Sequence, residues 1–585
     1  MFGSRWRSVF HKASGSRLRH HRAAGTYVFS DVKAELVKCK WDAIVVGGGH
    51  NGLTAAAYLA RAGVKVAVLE RRSVLGGAAV TEEIFPGFKF SRCSYVQSLL
   101  RPTIIRDLQL FKHGLKLLPR VPSSFTPTTD GNSLLLGADM EFNQSQISKF
   151  SKHDASAFPG YVEQLERFCA IMDPLLDVAP PEKRVGRSIT RGRLWEGLET
   201  TKVFAGLLRR FAAAGPADTL AFMELLLAPA SKVLDGWFES DILKATLATD
   251  AVIGAMVSVK SPGTGYVLLH HVMGETDGAR GVWSYVEGGM GGVSKALAGA
   301  AVEAGATLVT EVEVEHFKLK AGSENEAVDG VVLADGTEIF ADRVLSNATP
   351  YVTFLKLLPA DVLPQDFLKR IKTIDYKSGT TKINVAVDSL PLFSACKSSK
   401  NIPGPEHQGT IHLGADSMQE LDEAYKDALN GRPSARPLIE LTIPSAVDPT
   451  IAPPGKHVIN MFVQYTPFHL AEGSWQDQET RAAFAKKCFS IVDEYAPGFS
   501  SSIVGYDMLT PPDLERIFGL TGGNIFHGEM GLDALFLLRP IKGWAHYRTP
   551  LAGLYLCGAG AHPGGGVMGA PGRNAANVVL QDMGR

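Results

Sequence analysis

The sequence predicts an α/β protein in which a Rossmann-type nucleotide-binding domain is interleaved with a second, α+β domain. An apolar run at 43–46, a glycine-rich turn and an alanine-rich segment together predict the first strand, turn and helix of a parallel sheet. A second strand–glycine–helix pattern lies at 553–580, so the sequence of this domain is interrupted. At 585 residues the chain is too long for a single core, which favours two joined domains.

The turn after the first strand has the spacing G-x-G-x-x-G, with Gly47, Gly49 and Gly52. In this pattern the first glycine permits the tight turn, the second lets a pyrophosphate approach the backbone, and the third lets helix and strand pack closely. A helix over 53–62 and a second strand over 64–69 follow, and the strand ends at Glu70. An acid at this distance accepts hydrogen bonds from a ribose. Because the whole unit is present, the sequence predicts a dinucleotide site rather than a chance glycine loop.

A pair of glycines, Gly76 and Gly77, follows Glu70 too closely for another ordinary helix to intervene. This spacing resembles the signature of flavoprotein oxidases and desaturases, in which the paired glycines form a loop beside the FAD. A nicotinamide dehydrogenase does not usually carry it. The alternative is a plain surface turn. The predicted cofactor is therefore FAD.

The middle of the chain contains a short extended piece followed by a helix over 86–118, and a mostly helical region over 120–282. The most apolar part, 201–227, contains Arg209 and Arg210. An amphipathic helix that touches a membrane is one interpretation, and a helix packed on its own domain is the favoured one. No stretch holds 18 uninterrupted apolar residues, so no membrane-spanning helix is predicted.

The region from 283 to 350 predicts the return to the nucleotide-binding domain. The glycine cluster 288–292 precedes a helix over 293–304, a strand at 311–313, a hairpin over 330–340 and a strand within 341–350. The cluster is not a second fingerprint, because Ser294 replaces the last glycine and no suitable strand precedes it. The sequence therefore offers no separate nicotinamide site. Oxygen or a membrane quinone is the expected electron acceptor.

The second domain is predicted to contain strands at 381–387, 437–443 and 457–463, with a polar insertion at 394–404. The predicted domain limits are 40–120, 283–350 and 545–585 for the FAD-binding domain, and 121–282 and 351–544 for the substrate or cap domain.

Charge and cysteine content exclude several classes of function. Residues 1–38 contain eight of the 60 basic and two of the 60 acidic residues, so the remainder carries a net charge of −6 and is not expected to bind nucleic acid. The six cysteines are scattered, without a C-x-x-C pair or metal-ligand spacing. Neither a metal site, a thiol–disulfide relay nor structural disulfides are predicted.

The N-terminal segment predicts targeting. Residues 1–30 contain no acid but six Arg or Lys side chains and several serines, the pattern of a mitochondrial transit peptide. A disordered basic tail is the alternative. The expected location is the mitochondrial matrix with residues 1–35 as transit peptide, and the expected partners are a small-molecule substrate and the inner-membrane surface or a respiratory-chain protein.

The motifs together resemble the carotenoid/retinoid oxidoreductases, which include phytoene desaturases and carotenoid isomerases. The resemblance covers most of 40–580 and includes both glycine motifs above, SLLRP at 98–102, GGMGG at 288–292, ADRVLSNATP at 341–350 and GAGAHPGGG at 558–566. It implies an FAD-dependent oxidoreductase. It also implies that the backbone of Val312 contacts the adenine and that the loop from Gly558 to Gly560 lies beside the flavin.

Catalytic residues are less clearly indicated, because a flavin carries the redox chemistry and the protein mainly positions the substrate. The polar candidates are His270, His271, His527 and His562, although a structural role is favoured for each. Cys557 is interpreted as a buried strand residue rather than a covalent flavin attachment. The predicted activity is oxidation of a C–C or C–N bond in an apolar or amine-bearing small molecule. The alternative is a flavin-binding interaction protein with little turnover.

Overall fold

The computed structural model describes residues 36–180, 191–276, 278–320, 327–396 and 402–585, with backbone alone for 191–204 and 279. The predicted transit peptide, residues 1–35, lies outside the described residues, as does part of the predicted insertion at 394–404.

Twenty-one strands and fifteen α-helices are present in the described residues. The strands are β1 Ala43–Val46, β2 Val66–Leu69, β3 Thr81–Phe85, β4 Phe88–Ser91, β5 Leu117–Pro119, β6 Ser124–Pro127, β7 Ser133–Leu136, β8 Glu275–Thr276, β9 Ala279–Arg280, β10 Ser284–Val286, β11 Thr307–Val309, β12 Val314–Leu319, β13 Val328–Leu333, β14 Glu338–Phe340, β15 Val344–Ser346, β16 Thr380–Val387, β17 Thr410–Leu413, β18 Leu438–Thr442, β19 His457–Gln464, β20 Ile503–Leu509 and β21 Leu554–Leu556. The helices are α1 His50–Arg61, α2 Pro102–Asp107, α3 Met140–Ile147, α4 Lys152–Leu176, α5 Arg191–Leu227, α6 Ala230–Asp235, α7 Asp241–Ala248, α8 Thr264–Val272, α9 Gly291–Glu303, α10 Pro350–Leu355, α11 Gln365–Ile371, α12 Met418–Leu429, α13 Gln478–Tyr495, α14 Pro511–Phe518 and α15 Ala570–Asp582.

The nucleotide-binding domain is built on a five-stranded parallel sheet with the order β11-β2-β1-β15-β21. β1 is central, so Val45 pairs with Val68 on one side and Leu345 on the other. The strands are short and fully apolar because both faces of the sheet are covered. α9 and α15 pack against α1. The Rossmann-type fold class predicted from the sequence is confirmed.

Some predicted boundaries differ from the observed ones. The first helix begins at His50, three residues earlier than predicted, directly after the second glycine of the fingerprint. The predicted strand at 311–313 is wrong, because the strand that pairs with β2 ends at Val309. Glu311 then has a positive φ of 59°, which turns the chain before β12.

The second domain contains a seven-stranded sheet with the order β20-β16-β19-β18-β17-β6-β7. It is antiparallel apart from the β17–β6 pair. The three strands predicted in this domain are confirmed as β16, β18 and β19. The strands β6 and β7 were missed, because a region that is otherwise helical contributes two four-residue strands to the edge of this sheet.

A helical layer from α4 to α8 packs around its own core. α5 is interrupted at Gly215, where φ is 82° and ψ is 173°. The rings of Phe211 and Phe222 lie 5.4 Å apart across this break, whereas eleven residues of straight helix span about 16 Å, so α5 folds back on itself. Phe222 also packs on Phe168 of α4, which agrees with the favoured interpretation of a helix packed on its own domain. Among the described helices, none has both the length and the apolar character needed to cross a bilayer.

The border between the domains is later than the sequence indicated. α10 and α11, placed in the second domain by the predicted boundary at 350, contribute Phe354 and Phe367 to the core of the nucleotide-binding domain. These rings meet edge to face, with centroids 4.9 Å apart. The first domain therefore continues to about residue 371.

Candidate active site

A cavity of about 1510 Å³ lies between the two sheets and is lined by residues from both domains. Its volume exceeds the roughly 300–1,000 Å³ of ordinary ligand pockets. The glycine turn after β1 forms one end, and side chains from β18, α7 and α8 form part of the other wall. The cavity therefore has room for a dinucleotide and a further small molecule together.

The two predicted glycine motifs lie side by side at one end of this cavity. The N–H of Gly76 donates to the carbonyl of Gly48 at 2.8 Å, and Gly49 and Gly76 form a parallel bridge. Gly52 lies beneath this turn, where an added Cβ would stand 2.2 Å from the Gly47 carbonyl oxygen. The third glycine is thus required for helix packing, as the fingerprint predicts.

The carboxylate of Glu70 holds the glycine turn together. Its Oε2 accepts from the N–H of Gly48 at 2.8 Å, and its Oε1 accepts from the N–H of Arg72 at 2.9 Å. The backbone carbonyl of Glu70 accepts from the N–H of Val312. Glu70 and Val312 both line the cavity. The predicted adenosine-binding residues are therefore joined, and the Val312 N–H is already engaged within the protein.

The structure brings some predicted cofactor residues to the cavity and not others. The cavity is lined by Gly47, Gly49, Glu70, Gly77 and Val312, while Gly52 and Gly76 pack behind this surface.

The C-terminal glycine loop faces the protein more than expected. A Cβ on Gly558 would lie 2.8 Å from the Asn347 carbonyl oxygen, and a Cβ on Gly560 would lie 2.3 Å from Cδ of Pro350. From this part of the chain it is Ala559, Gly566 and Val567 that line the cavity. The prediction identified the right loop, but its two glycines pack against Asn347 and Pro350 rather than lining the cavity.

Asn347 is a residue that the sequence prediction missed. It follows β15, and its side-chain Nδ2 donates to the carbonyl of Gly47 at 3.1 Å while the residue itself lines the cavity. It therefore fixes the first glycine of the turn from the neighbouring strand. The SNATP segment within the motif at 341–350 was the sequence signal that could have identified Asn347.

Two of the predicted histidines lie behind the cavity wall. His270 contacts the carbonyl of Gly565 through Nε2 at 3.2 Å, and His562 contacts the carbonyl of Leu175 through Nε2 at 2.7 Å. Burial lowers the pKa of His270 to about 3 and that of His562 to about 4, so both rings are neutral at physiological pH. Neither lines the cavity, which agrees with the structural role favoured from the sequence.

His271 does line the cavity. Its Nδ1 lies 2.9 Å from the carbonyl of Val267, which makes this nitrogen the donor. The ring stacks on Trp283 with an interplanar angle of 27°. In the neutral ring the other nitrogen, Nε2, is then the acceptor.

Three further histidines, His50, His412 and His527, line the cavity. His50 begins α1, within the predicted fingerprint, and its Nε2 contacts the Gly566 carbonyl at 3.2 Å. His527 has a positive φ of 59°, and its Nδ1 has no hydrogen-bond partner in the described chain. Burial lowers the pKa of His527 to about 3 and that of His50 to about 4. Uncharged imidazoles thus border the cavity beside the C-terminal glycine loop.

A cluster of polar side chains on the second-domain wall was not predicted from the sequence. The Tyr95 hydroxyl donates to Oε2 of Glu440 at 2.8 Å, and Asp250 and Arg120 line the same cavity. These residues come from four separate parts of the chain. No short motif joins them, so only the fold could reveal the group.

A buried lysine lies behind Tyr95. The ammonium of Lys382 donates to the side-chain oxygens of Asn384 and Asn460 at 2.6 and 2.8 Å, and it stands 5.5 Å from the Tyr95 ring centroid. Burial lowers the pKa of Lys382 to about 7. This side chain supports the cavity wall from behind.

Comparisons with known proteins identify the family. Residues 45–103 match the family model of an NAD(P)-binding Rossmann-like domain. Over 558 residues, 94% of each chain, the sequence is 54% identical to pyridine nucleotide-disulfide oxidoreductase domain-containing protein 2 of Rattus norvegicus. The chain belongs to that family. It is also 26% identical over 560 residues to the chloroplastic prolycopene isomerase of Daucus carota, covering 93% of this chain and 81% of that one. The resemblance to the carotenoid oxidoreductases is thus confirmed.

Among solved structures, wild-type putrescine oxidase bound to putrescine matches with a TM-score of 0.55 and 15% identity, over 94% of this chain and all of that one. At this identity the match shows the shared fold. The protein is an oxidoreductase with a nucleotide-binding site suited to a flavin or nucleotide cofactor.

The disulfide part of the family name has no counterpart in the cysteines of this chain. All six cysteines are described, and all are free thiols. Burial raises the pKa of Cys93 to about 11 and that of Cys169 to about 12, which keeps both as thiols at physiological pH. Thiol–disulfide exchange requires a thiolate, so these cysteines are unsuited to it.

Proposed function

We propose that this protein is an FAD-dependent oxidoreductase of the mitochondrial matrix that oxidises a largely apolar small molecule. One observation carries the proposal. A single continuous cavity is bordered by the dinucleotide loops at one end and by apolar side chains of the second domain at the other. This arrangement suits a cofactor that is bound by the first domain and reaches a substrate bound by the second.

The residues around the glycine turn fit an FAD. Gly49 lines the cavity, where its backbone is open to a pyrophosphate. A side chain there is disfavoured, because its Cβ would stand 2.9 Å from Nδ2 of Asn347. Glu70 retains lone pairs for ribose hydroxyls beyond its two backbone contacts. Two buried polar atoms of residues that line this wall, Oδ1 of Asn51 and Nη1 of Arg72, have no hydrogen-bond partner in the described chain. A bound flavin would supply two-electron oxidation at the second-domain end of the cavity.

The second-domain wall favours an apolar substrate body. Phe158, Leu165, Leu268 and Val272 line it. The carrot relative is named as an isomerase of prolycopene, and putrescine oxidase was solved with a diamine bound. Both names support a substrate class of apolar or amine-bearing small molecules.

The protein's own residues would bind the substrate and orient it. The apolar wall excludes water, and His271 offers a fixed acceptor nitrogen held by its contact with Val267. Because burial holds two further cavity histidines, His50 and His527, neutral, they would accept hydrogen bonds without adding charge. No dedicated base is assigned.

The proposed electron acceptor is oxygen or a membrane quinone. The described chain contains one Rossmann unit, since the strand before the second glycine cluster, β10, pairs antiparallel with β5 outside the parallel sheet. All six cysteines are free, so a disulfide relay is not supported either.

Purification followed by anaerobic screening tests the proposed function. The full chain should retain FAD through gel filtration, and its flavin absorbance should bleach when a substrate from an apolar or amine library is added. Loss of FAD during purification from cells supplied with riboflavin would contradict the cofactor assignment. Retention of FAD without bleaching by any compound would instead favour a flavin-binding interaction protein.

A further inference from the structure

Two carboxylates of the second-domain wall face the cavity without a cationic partner of their own. Asp250 lies in the short 3-10 turn Thr249–Ala251, and Glu440 lies on β18. Among the described residues neither forms an ion pair. Burial raises the pKa of Glu440 to about 8 and also raises the pKa of Asp250, while the nearby His271 and Arg120 act to lower the pKa of Asp250. The charge of Asp250 adds to the rise in the pKa of Glu440, which indicates that the two carboxyl groups are near each other.

The neighbouring cation does not neutralise both groups. Arg120 donates through Nε to the carbonyl of Trp283 at 3.1 Å and through Nη1 to Oγ1 of Thr410 at 2.6 Å. Burial and Arg120 lower the pKa of His412, which is paired in register with Glu440, to about 4, so this ring is neutral. At neutral pH Glu440 is largely protonated, but an ammonium bound beside it favours the ionised carboxylate. With both carboxylates then ionised, these four groups carry a net charge of −1.

An independent observation on the segment that carries Tyr95 points to a ligand. Gln97 lies two residues after Tyr95, the hydrogen-bond partner of Glu440, and it lines the cavity. The residue is 1% exposed, yet its Oε1 has no hydrogen-bond partner in the described chain. A buried oxygen without a hydrogen-bond partner destabilises the structure that holds it. A donor from a bound molecule would remove this destabilisation.

We propose that Asp250, Glu440 and Gln97 form a subsite for the protonated nitrogen of an aliphatic amine whose apolar body occupies the rest of the second-domain wall. An ammonium group has three N–H donors and no acceptor, and each of these residues offers side-chain oxygen. The rings of Tyr95 and Phe462, whose centroids are 5.6 Å apart, add electron-rich faces beside the carboxylates. This inference rests on the proposed function and specifies its substrate class.

Calorimetric titration of the FAD-loaded full chain with n-octylamine and with n-octanol tests the subsite. The two molecules have similar apolar tails, so their difference isolates the charged head. We expect the amine to bind at least about 10-fold more tightly. Glu440→Gln and Asp250→Asn should each lower amine affinity by about 10- to 100-fold, as expected for loss of a charged hydrogen-bond partner, and leave octanol affinity unchanged. Glu315→Gln removes an exposed carboxylate close to Val312 and should change neither.

Equal affinity for amine and alcohol in the wild-type chain would overturn the subsite. So would an amine preference that survives both Glu440→Gln and Asp250→Asn. Thermal unfolding of each variant checks folding, and because the two carboxylates lie on different elements, one variant still reports if the other unfolds. Failure of the proposed function would be seen separately, as loss of FAD or absence of bleaching, since the calorimetric comparison requires no turnover.

Discussion

Replacement of Glu70 by alanine should destabilise the protein even before any cofactor binds. In the structure each carboxylate oxygen of Glu70 accepts a backbone N–H, one from Gly48 in the glycine turn and one from Arg72 after β2. The residue is 6% exposed, so water replaces these bonds poorly. Glu70→Ala therefore leaves two N–H groups without a partner, at a cost of about 1–3 kcal/mol each.

We expect the apo form of Glu70→Ala to lose about 2–6 kcal/mol of the free energy of unfolding of the nucleotide-binding domain, measured by urea titration. FAD affinity should fall further, by about 10- to 100-fold, because the ribose contact is lost as well. Glu70→Gln should show a smaller loss in the apo form, since its amide oxygen can still accept one of the two N–H groups. Flavin absorbance after dialysis measures how much FAD each variant retains.

The matched control is Glu313→Ala, which removes a half-exposed carboxylate from the same end of the cavity. It should leave apo stability within about 0.5 kcal/mol of the wild type. If apo Glu70→Ala unfolded at the same urea concentration as Glu313→Ala, the assigned structural role of the carboxylate would be refuted. Undiminished FAD retention by Glu70→Ala would refute the ribose contact.

Four further predictions follow from the structure and the sequence. Gly52→Ala should abolish FAD retention, because its Cβ would overlap the Gly47 carbonyl oxygen at 2.2 Å; normal flavin content in the purified variant would contradict this. The pKa of His270 is lowered to about 3, below its unfolded value near 6.5, so its contribution to stability is full above pH 6.5 and is lost as the pH falls below 6.5. His270→Gln should therefore lose less stability than the wild type between about pH 6.5 and 4.5. Identical dependence of stability on pH in urea titrations of the two proteins would count against this. Deleting residues 1–35 should leave the protein in the cytosol, as fractionation would show, and matrix location of the truncated chain would exclude the transit peptide. NADH and NADPH should reduce the flavin more slowly than about 1 s⁻¹ under anaerobic stopped-flow mixing, and faster bleaching would rule out oxygen or a quinone as the sole exchange partner.

The nucleotide-binding half was predictable because its signals are local. The glycine spacing, the flanking apolar strands and the acid at Glu70 lie within one continuous segment, and each has a steric or hydrogen-bonding reason. The same kind of local signal gave β16, β18 and β19 of the second domain. Errors arose where long-range packing decided the outcome, as for β11, whose end is set by its pairing with β2.

The substrate side of the cavity was not predictable either, because long-range packing brings its residues together. Tyr95 and Glu440 are hydrogen-bonded although 345 positions separate them. Asp250 is brought beside them by a helical layer with no motif of its own. The predicted histidines show the opposite case. His270 and His271 are adjacent in the sequence, yet His271 lines the cavity and His270 lies behind its wall.

The order of strands in the parallel sheet determines when the protein can first hold its cofactor during biosynthesis. Ile44 pairs with Val344, and Val344 pairs with Leu554 near the C-terminus. Until the ribosome has released the last strand and α15, β15 is an unpaired edge, and unpaired edges invite aggregation. Contacts at such separations also form slowly. The cavity, which Ala559, Gly566 and Val567 help to line, is therefore completed only after the C-terminal segment has been synthesised.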